Sequence, residues 1–158
     1  MREAFPLRPL LPADVDPLRE LVAQSIEGLT QDDYDEDQRL AWISLVENAA
    51  AFAKRLAKAT TLVALAKGRP AGFASLVGNE TLDMLYVHPD FAGRGAGATL
   101  VDALERLAKG RGSAAITVKA SDTAEGFFRA RGYVPQERSM VPVEGQWLSN
   151  TTMKKALA

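Results

Sequence analysis

Apolar residues recur at Val15, Leu18, Leu21, Val22 and Ile26, which places them on one face of a helix opened by Asp14. Residues 5–8 before it predict a short strand, stopped by Pro9 and Pro12. Residues 30–37 are polar and acidic. Two further helices are expected over 40–46 and 49–59, the second burying Phe52, Ala53 and Leu56. The period then changes from helical to alternating. Residues 61–66 are rich in β-formers, Gly68-Arg69-Pro70 turns the chain, and 71–77 return. Gly78-Asn79 turns it again, and 81–87 complete a three-strand meander. A helix is expected from the glycines after this strand to about residue 109, with Leu100, Val101, Leu104, Leu107 and Ala108 as its buried stripe. Asp102 and Glu105 are spaced for i,i+4 pairs with Arg106 and Lys109, and Gly110 and Gly112 end the helix. Residues 115–118 predict a short buried strand, parallel to its neighbour across the helix. A helix over 123–131 closes at Gly132, and strands 133–141 and 146–154 are joined near Glu144-Gly145.

This order is not the strict strand–helix alternation of a doubly wound fold. It predicts an α+β protein, one mixed sheet with helices packed on it, in a single domain over residues 1–158. The 158 residues suffice for one real core. A net charge of −1 argues against a general nucleic-acid binder. With no cysteine, disulfides and thiol nucleophiles are excluded, and with one histidine, His88, no His-rich metal site can form. No metal is therefore expected. The start of the chain has no apolar signal core and no run approaches membrane-spanning length, so a cytoplasmic protein without membrane partners is expected.

The chemistry concentrates in residues 85–100, L-Y-V-H-P-D-F-A-G-R-G-A-G-A-T-L. An apolar strand ends at Val87, a proline turn follows, and Gly93, Gly95 and Gly97 precede an amphipathic helix. Free amides at a helix start favour an anion, most often a phosphate. A Walker loop would need Lys followed by Ser or Thr after the last glycine, but Ala98-Thr99 stands there. A dinucleotide fingerprint needs different glycine spacing, the first strand of the fold and an acid at a set distance, none of which is met.

The segment resembles the acyl-CoA motif of the GCN5-related N-acetyltransferases (GNAT), Arg/Gln-x-x-Gly-x-Gly/Ala at a strand–loop–helix junction. Here it reads Ala92-Gly93-Arg94-Gly95-Ala96-Gly97, with Ala92 in place of the leading Arg or Gln. The preceding V-H-P-D-F fits the family's approach to the motif. Residues 120–124, A-S-D-T-A, followed by F-F-R-A-R-G-Y at 127–133, resemble its second block. The likeness covers the whole chain in family order, and the closing Gly145-Gln146-Trp147 with Asn150 and Met153-Lys154 suggests a poorly characterised bacterial branch.

The resemblance implies a GNAT fold: a mostly antiparallel sheet, one parallel pair splayed at the acyl-CoA site, and helices on both faces. It implies acetyl-CoA as cosubstrate and direct transfer of its acetyl group to a primary amine of a small-molecule or peptide acceptor. The chain agrees in lacking a thiol to carry an acyl-enzyme. An amine of pKa about 10.4 loses its proton at pH 7 at a cost of about 4.6 kcal/mol, so a proton acceptor is needed. Asp83 is the leading candidate, with Glu80 behind it; the alternative for Asp83 is an ordinary hydrogen-bonded strand carboxylate. Backbone amides at Leu85, Tyr86 and Val87 are expected to hold the thioester oxygen beside a β-bulge.

The position of the tyrosine that often protonates the leaving thiolate in this family is Phe128 here, so Tyr86 or Tyr133 could substitute through water; the other reading of both is an ordinary half-buried aromatic. Gly93, Arg94, Gly95, Ala96, Gly97 and Ala98 are expected at the CoA phosphates, with Arg131 as a second cation or a surface charge. Ser121 and Phe128 would flank the pantetheine arm, Ser121 having a helix cap as its other reading. The acidic run with Asp33 and Tyr34 falls where the acceptor-binding helices lie; it either attracts a cationic amine or begins a helix. Trp42 and Trp147 would wall the acceptor cleft, or fill core. A homodimer through terminal strands is also expected. The losses at Ala92 and Phe128 leave a second function open, a CoA-binding sensor or partner protein without turnover, and a longer acyl-CoA is a third.

Overall fold

The alternating segments pair into one seven-stranded sheet in the order β1-β2-β3-β4-β5-β7-β6. The strands of this computed structural model, which describes residues 4–157, are β1 (Leu7–Pro9), β2 (Thr60–Ala66), β3 (Arg69–Val77), β4 (Thr81–Val87), β5 (Ala115–Ser121), β6 (Val134–Val143) and β7 (Gln146–Ala156). Only β4 and β5 run parallel. The helices are α1 (Val15–Leu29), α2 (Glu36–Ser44), α3 (Ala49–Ala57), α4 (Ala96–Gly110) and α5 (Glu125–Ala130). Among the described residues no helix is long and apolar enough to cross a membrane.

Alternation along the central strands feeds two cores, one on each face. Leu18, Val22 and Ile26 of α1 and Phe52 and Leu56 of α3 pack on Val63, Phe73 and Met84. Leu100, Val101 and Leu104 of α4 pack on the opposite face with Ala64, Ala74, Leu76 and Ile116. This is the mixed α/β sheet with helices on both faces that the sequence predicts.

The boundaries move where side chains capture the backbone. The first strand is Leu7–Pro9 rather than 5–8, because Phe5 leaves the ladder and is buried in the α4-side core. The second helix starts at Glu36, not at residue 40. Asp35 accepts from the Gln38 amide at 2.8 Å while Gln38 Oε1 accepts from the Asp35 amide at 2.9 Å, a reciprocal cap that makes the acidic run a helix start. Asp102 and Glu105 of α4 reach beyond their own helix: Asp102 pairs with Arg131 at the end of α5, and Glu105 accepts from Tyr133 and from Lys155 of β7. The fifth strand reaches Ser121, beyond the expected 118, and α5 keeps only residues 125–130.

The register between β3 and β4 positions the site. Ser75 lies opposite Met84 and Leu76 opposite Leu82, so Asp83 is the extra residue of a β-bulge. Next to it, the parallel ladder between β4 and β5 ends after Thr81–Thr117 and Leu82–Val118.

The entry to α1 carries a testable charge. Buried Asp14 accepts from Arg8 at 2.7 and 2.9 Å and from the Leu11 amide at 2.7 Å. The Arg8 guanidinium, ahead of the Leu11 amide, holds the Asp14 carboxyl below its ordinary value. A folded-state pKa below the unfolded one stabilises above about pH 4, and that stability is lost as pH falls through the folded value. Asp14→Asn should cost about 2 kcal/mol at pH 7. In urea titrations from pH 7 downward the gap to wild type should close below about pH 4.

Candidate active site

Beyond Val87 the chain turns through Pro89–Phe91, where His88 Nδ1 accepts from the Asp90 amide at 3.1 Å. His88 is thus a turn residue. Gly93 and Gly95 then adopt left-handed φ values of 75° and 99°, which L side chains reach only with strain. These two glycines swing the backbone into α4, whose first turn has no side-chain cap. The amides of Ala96, Gly97 and Ala98 are the donors such a helix start leaves without an intrahelical partner. Arg94 lies over the Phe91 ring at 5.9 Å.

The gap between β4 and β5 continues from this loop. His88 N donates to Ala71 O, so by antiparallel alternation the Tyr86 and Met84 amides also face β3. The amides of Leu85 and Val87 face the gap, where the parallel ladder has already ended. Of the three amides expected to serve an oxyanion, those of Leu85 and Val87 face the gap and that of Tyr86 faces β3, while Tyr86 itself lines the cavity.

A cavity of about 840 Å³ runs along this gap. Gly93 and Gly97 line it at the C-terminal end of β4, Phe127 and Phe128 wall the middle, and Asp83, Arg55 and Trp42 line it near the bulge. Ser121 also lines it, and its Oγ accepts from the Ala124 amide at 3.1 Å, so the hydroxyl caps the turn into α5. Asp83 accepts from Arg55 Nε at 2.7 Å and from the second guanidinium nitrogen at 3.1 Å. Tyr86 Oη accepts from Trp42 Nε1 at 2.9 Å, and burial raises its phenol above the ordinary tyrosine value. Tyr34 is buried against the Trp42 edge, donates to Ser149 O at 2.7 Å and accepts from the Asp122 amide at 2.9 Å. Its hydroxyl ties the loop before α2 to β7 and the loop after β5.

Other expected site residues stand elsewhere. Tyr133 does not reach the cavity: it is buried behind Phe128, edge to face, and donates to Glu105 at 2.8 Å. Burial, and then the Glu105 carboxylate, push its phenol far above the tyrosine range, which suits a structural hydroxyl. Arg131, expected as a second phosphate cation or a surface charge, is held by Asp102, lies over the Phe127 ring at 5.6 Å and does not line the cavity. Trp147 is 56% exposed on β7, outside the cavity. Asp33 also lies outside it, accepting from Thr123 Oγ1 at 2.7 Å. Two charged cavity residues have no counterpart in the sequence reading, Arg55 and Lys119. Arg55 reads as the wet face of α3. Lys119 would have stood out, between the buried Val118 and Ala120, had the fifth strand been extended past residue 118.

This glycine-turned loop, uncapped helix and split strand pair can be set beside known proteins. Residues 30–157 match the family model described as acetyltransferase (GNAT) domain. The chain belongs to the GNAT family and is an acyltransferase. An uncharacterized N-acetyltransferase, YafP, of Escherichia coli strain K12 is 29% identical over 148 residues, 94% of this chain and 93% of its own. A solved GCN5-related N-acetyltransferase (aminotransferase, class-II) from Rhodopseudomonas palustris is 50% identical, covers 99% of this chain and 98% of its own, and superposes with a TM-score of 0.96. The PaiA N-acetyltransferase of Thermoplasma acidophilum, solved with coenzyme A, shares the fold at 18% identity and a TM-score of 0.80, over 98% of this chain and 99% of its own.

In this GNAT chain the relocation of Tyr133 has a direct consequence. Tyr133→Phe should lower stability by about 1 kcal/mol in denaturant titration, by removing the bond to Glu105. It should leave the pH profile of acetyl transfer unchanged; a lost alkaline limb would restore Tyr133 to the reaction.

Proposed function

We propose that this acyltransferase uses acetyl-CoA and transfers the acetyl group directly to a primary amine. One observation carries the reading: two left-handed glycines deliver the unclaimed amides of residues 96–98 at the end of the same cavity whose other wall is the split between β4 and β5. The donor set fits a diphosphate, because it is main-chain N–H at a helix N-terminus. The narrow, largely apolar gap beside Phe127 and Phe128 fits an uncharged pantetheine arm. Ala92 contributes no side-chain donor, so the cradle rests on backbone.

Acetyl-CoA supplies an acyl carbon activated by sulfur. The protein's own groups then have three tasks. The Leu85 and Val87 amides point where negative charge grows on the thioester oxygen. Asp83 sits at the bulge, two positions before the first of these. Its carboxylate has about four acceptor positions, of which Arg55 takes two, and the others are open to the ammonium of the acceptor and a water that carries its proton away. Tyr86 Oη receives a bond from Trp42 and keeps its own proton to donate into the cavity. In this scheme no side chain is acylated.

Gly95→Glu should abolish acetyl-CoA binding in calorimetry, because it forces an L residue to φ near 99° and sets a carboxylate in the anion site; unchanged affinity would overturn the assignment. Asp83→Asn should lower kcat about 10²–10⁴-fold near neutral pH with little change in acetyl-CoA affinity. The deficit should shrink as pH rises toward about 10, where the amine loses its proton unaided. Tight acetyl-CoA binding with no thiol release across an amine panel would instead mark a carrier-binding protein.

A further inference from the structure

The acceptor end of the cavity has a charge pattern that names a class of amine, given the acetyl-transfer reading above. Three charged side chains among the described residues line the cavity: Arg55, Asp83 and Lys119. The parallel register sets Thr81 beside Thr117 and Leu82 beside Val118, so Asp83 and Lys119 are the next positions, on either side of the point where the strands part. Alternation puts both on the face of Thr81 and Thr117. Lys119 is exposed and makes no ion pair among the described residues. Arg55 uses Nε and one terminal nitrogen on Asp83, which leaves three of its five N–H donors.

The wall therefore carries two cations and one anion. A plain alkylammonium meets excess positive charge and a carboxylate already shared with Arg55. An amine that also carries a carboxylate meets complementary charge at both ends. Apolar side chains, Ile26, Trp42, Val46, Met84 and Leu148, make up much of the surrounding lining. The acidic run that might have drawn a cationic acceptor is engaged elsewhere: Asp35 caps α2, and Asp33, itself off the cavity lining, accepts from Thr123 at the cavity's edge.

We propose that the acceptor is an α-amino acid with an apolar or aromatic side chain, its amine at Asp83 and its carboxylate between Arg55 and Lys119. The amino nitrogen forms a bond to the acetyl carbon, the carbon–sulfur bond breaks, and sulfur leaves with that electron pair as CoA thiolate. The proton lost by the amine passes through water to solvent or to the thiolate. The products are an N-acetylamino acid and CoA.

The test compares free-thiol release with phenylalanine and methionine against phenethylamine and phenylalaninamide, which keep the amine and lack the carboxylate. The amino acids should show kcat/KM at least about tenfold higher, the scale of one charge-assisted hydrogen bond. Lys119→Gln should raise KM about tenfold for phenylalanine and leave that for phenethylamine unchanged or lower it, since one repelling cation is gone. Equal rates with and without the carboxylate, or equal KM changes for both substrates, would overturn the proposal while leaving acetyl transfer intact. Absence of acetyl-CoA binding in calorimetry, or of thiol release with every amine, would overturn the parent reading as well. A binding readout needs no turnover: in Trp147→Phe protein, where Trp42 is the remaining tryptophan, N-acetylphenylalanine should change fluorescence at lower concentration than N-acetylphenethylamine. The reverse order would count against carboxylate recognition.

Discussion

A parallel ladder that stops after two residue pairs governs this molecule. Strands in the middle of a sheet normally satisfy their amides on both sides, and each buried group left without a partner costs about 1–3 kcal/mol. Here β4 keeps its β3 partner throughout and loses β5 halfway. Three features hold the gap open. The extra residue at Asp83 displaces the backbone at the point of departure. Phe127 and Phe128 from α5 stand beside the cavity on the β5 side. The Arg55 bridge ties the bulge to α3, so Asp83 is held from the helical layer as well as from its own strand. A sheet prevented from closing keeps directed amides facing a cavity, which is the requirement for binding an anionic or polarised group without a dedicated side chain.

The rest of the fold makes that gap rigid. Asp102 and Glu105 project from α4 toward the far half of the sheet. Asp102 anchors Arg131, which lies over Phe127; Glu105 anchors Tyr133, which packs on Phe128. Both aromatic walls are thus clamped from behind by half-buried polar contacts to a single helix, the helix whose N-terminus opens at the glycine loop. Tyr34 does the same on the other face, joining the start of the α2 region to β7 and to the turn after β5 through one hydroxyl. Tyr34 is therefore part of the cavity wall, and Tyr133 braces that wall from behind.

Much of this was readable from residues alone. The meander, the glycine junction and the α4 stripe follow from alternation, turn chemistry and a 3.6 period, because each is a local pattern that its neighbours reinforce. The bulge and the split were reachable only through family resemblance, since a register slip leaves no signature in the spacing of seven strand residues. Arg131 and Tyr133 were misplaced for a different reason. Both lie within the second motif in sequence, but the end of α5 sets them behind the wall, where Asp102 and Glu105 hold them from a helix some 30 positions earlier. Long-range pairs of this kind are invisible to local periodicity. Arg55 was hidden in the same way, its partner being a strand residue 28 positions on.

The replacement of the family's leaving-group tyrosine by Phe128 takes on a specific meaning once Tyr86 is considered as a donor. Burial makes the Tyr86 phenol less acidic than free tyrosine, so it is well above the value of about 8.5 typical of a thiol. Full proton transfer from such a phenol to a departing thiolate runs uphill. A hydrogen bond to the sulfur requires no transfer and gains from the low local dielectric. On the proposed chemistry, the thiolate leaves as an anion steadied by a donor and takes its proton later from water. Under that regime a site with phenylalanine at the expected acid position loses little, because the bond-breaking step was never limited by protonation. The demanding step becomes removal of the amine's proton, and this places the burden of catalysis at the bulge, on Asp83 and the water beside it, rather than in the second motif.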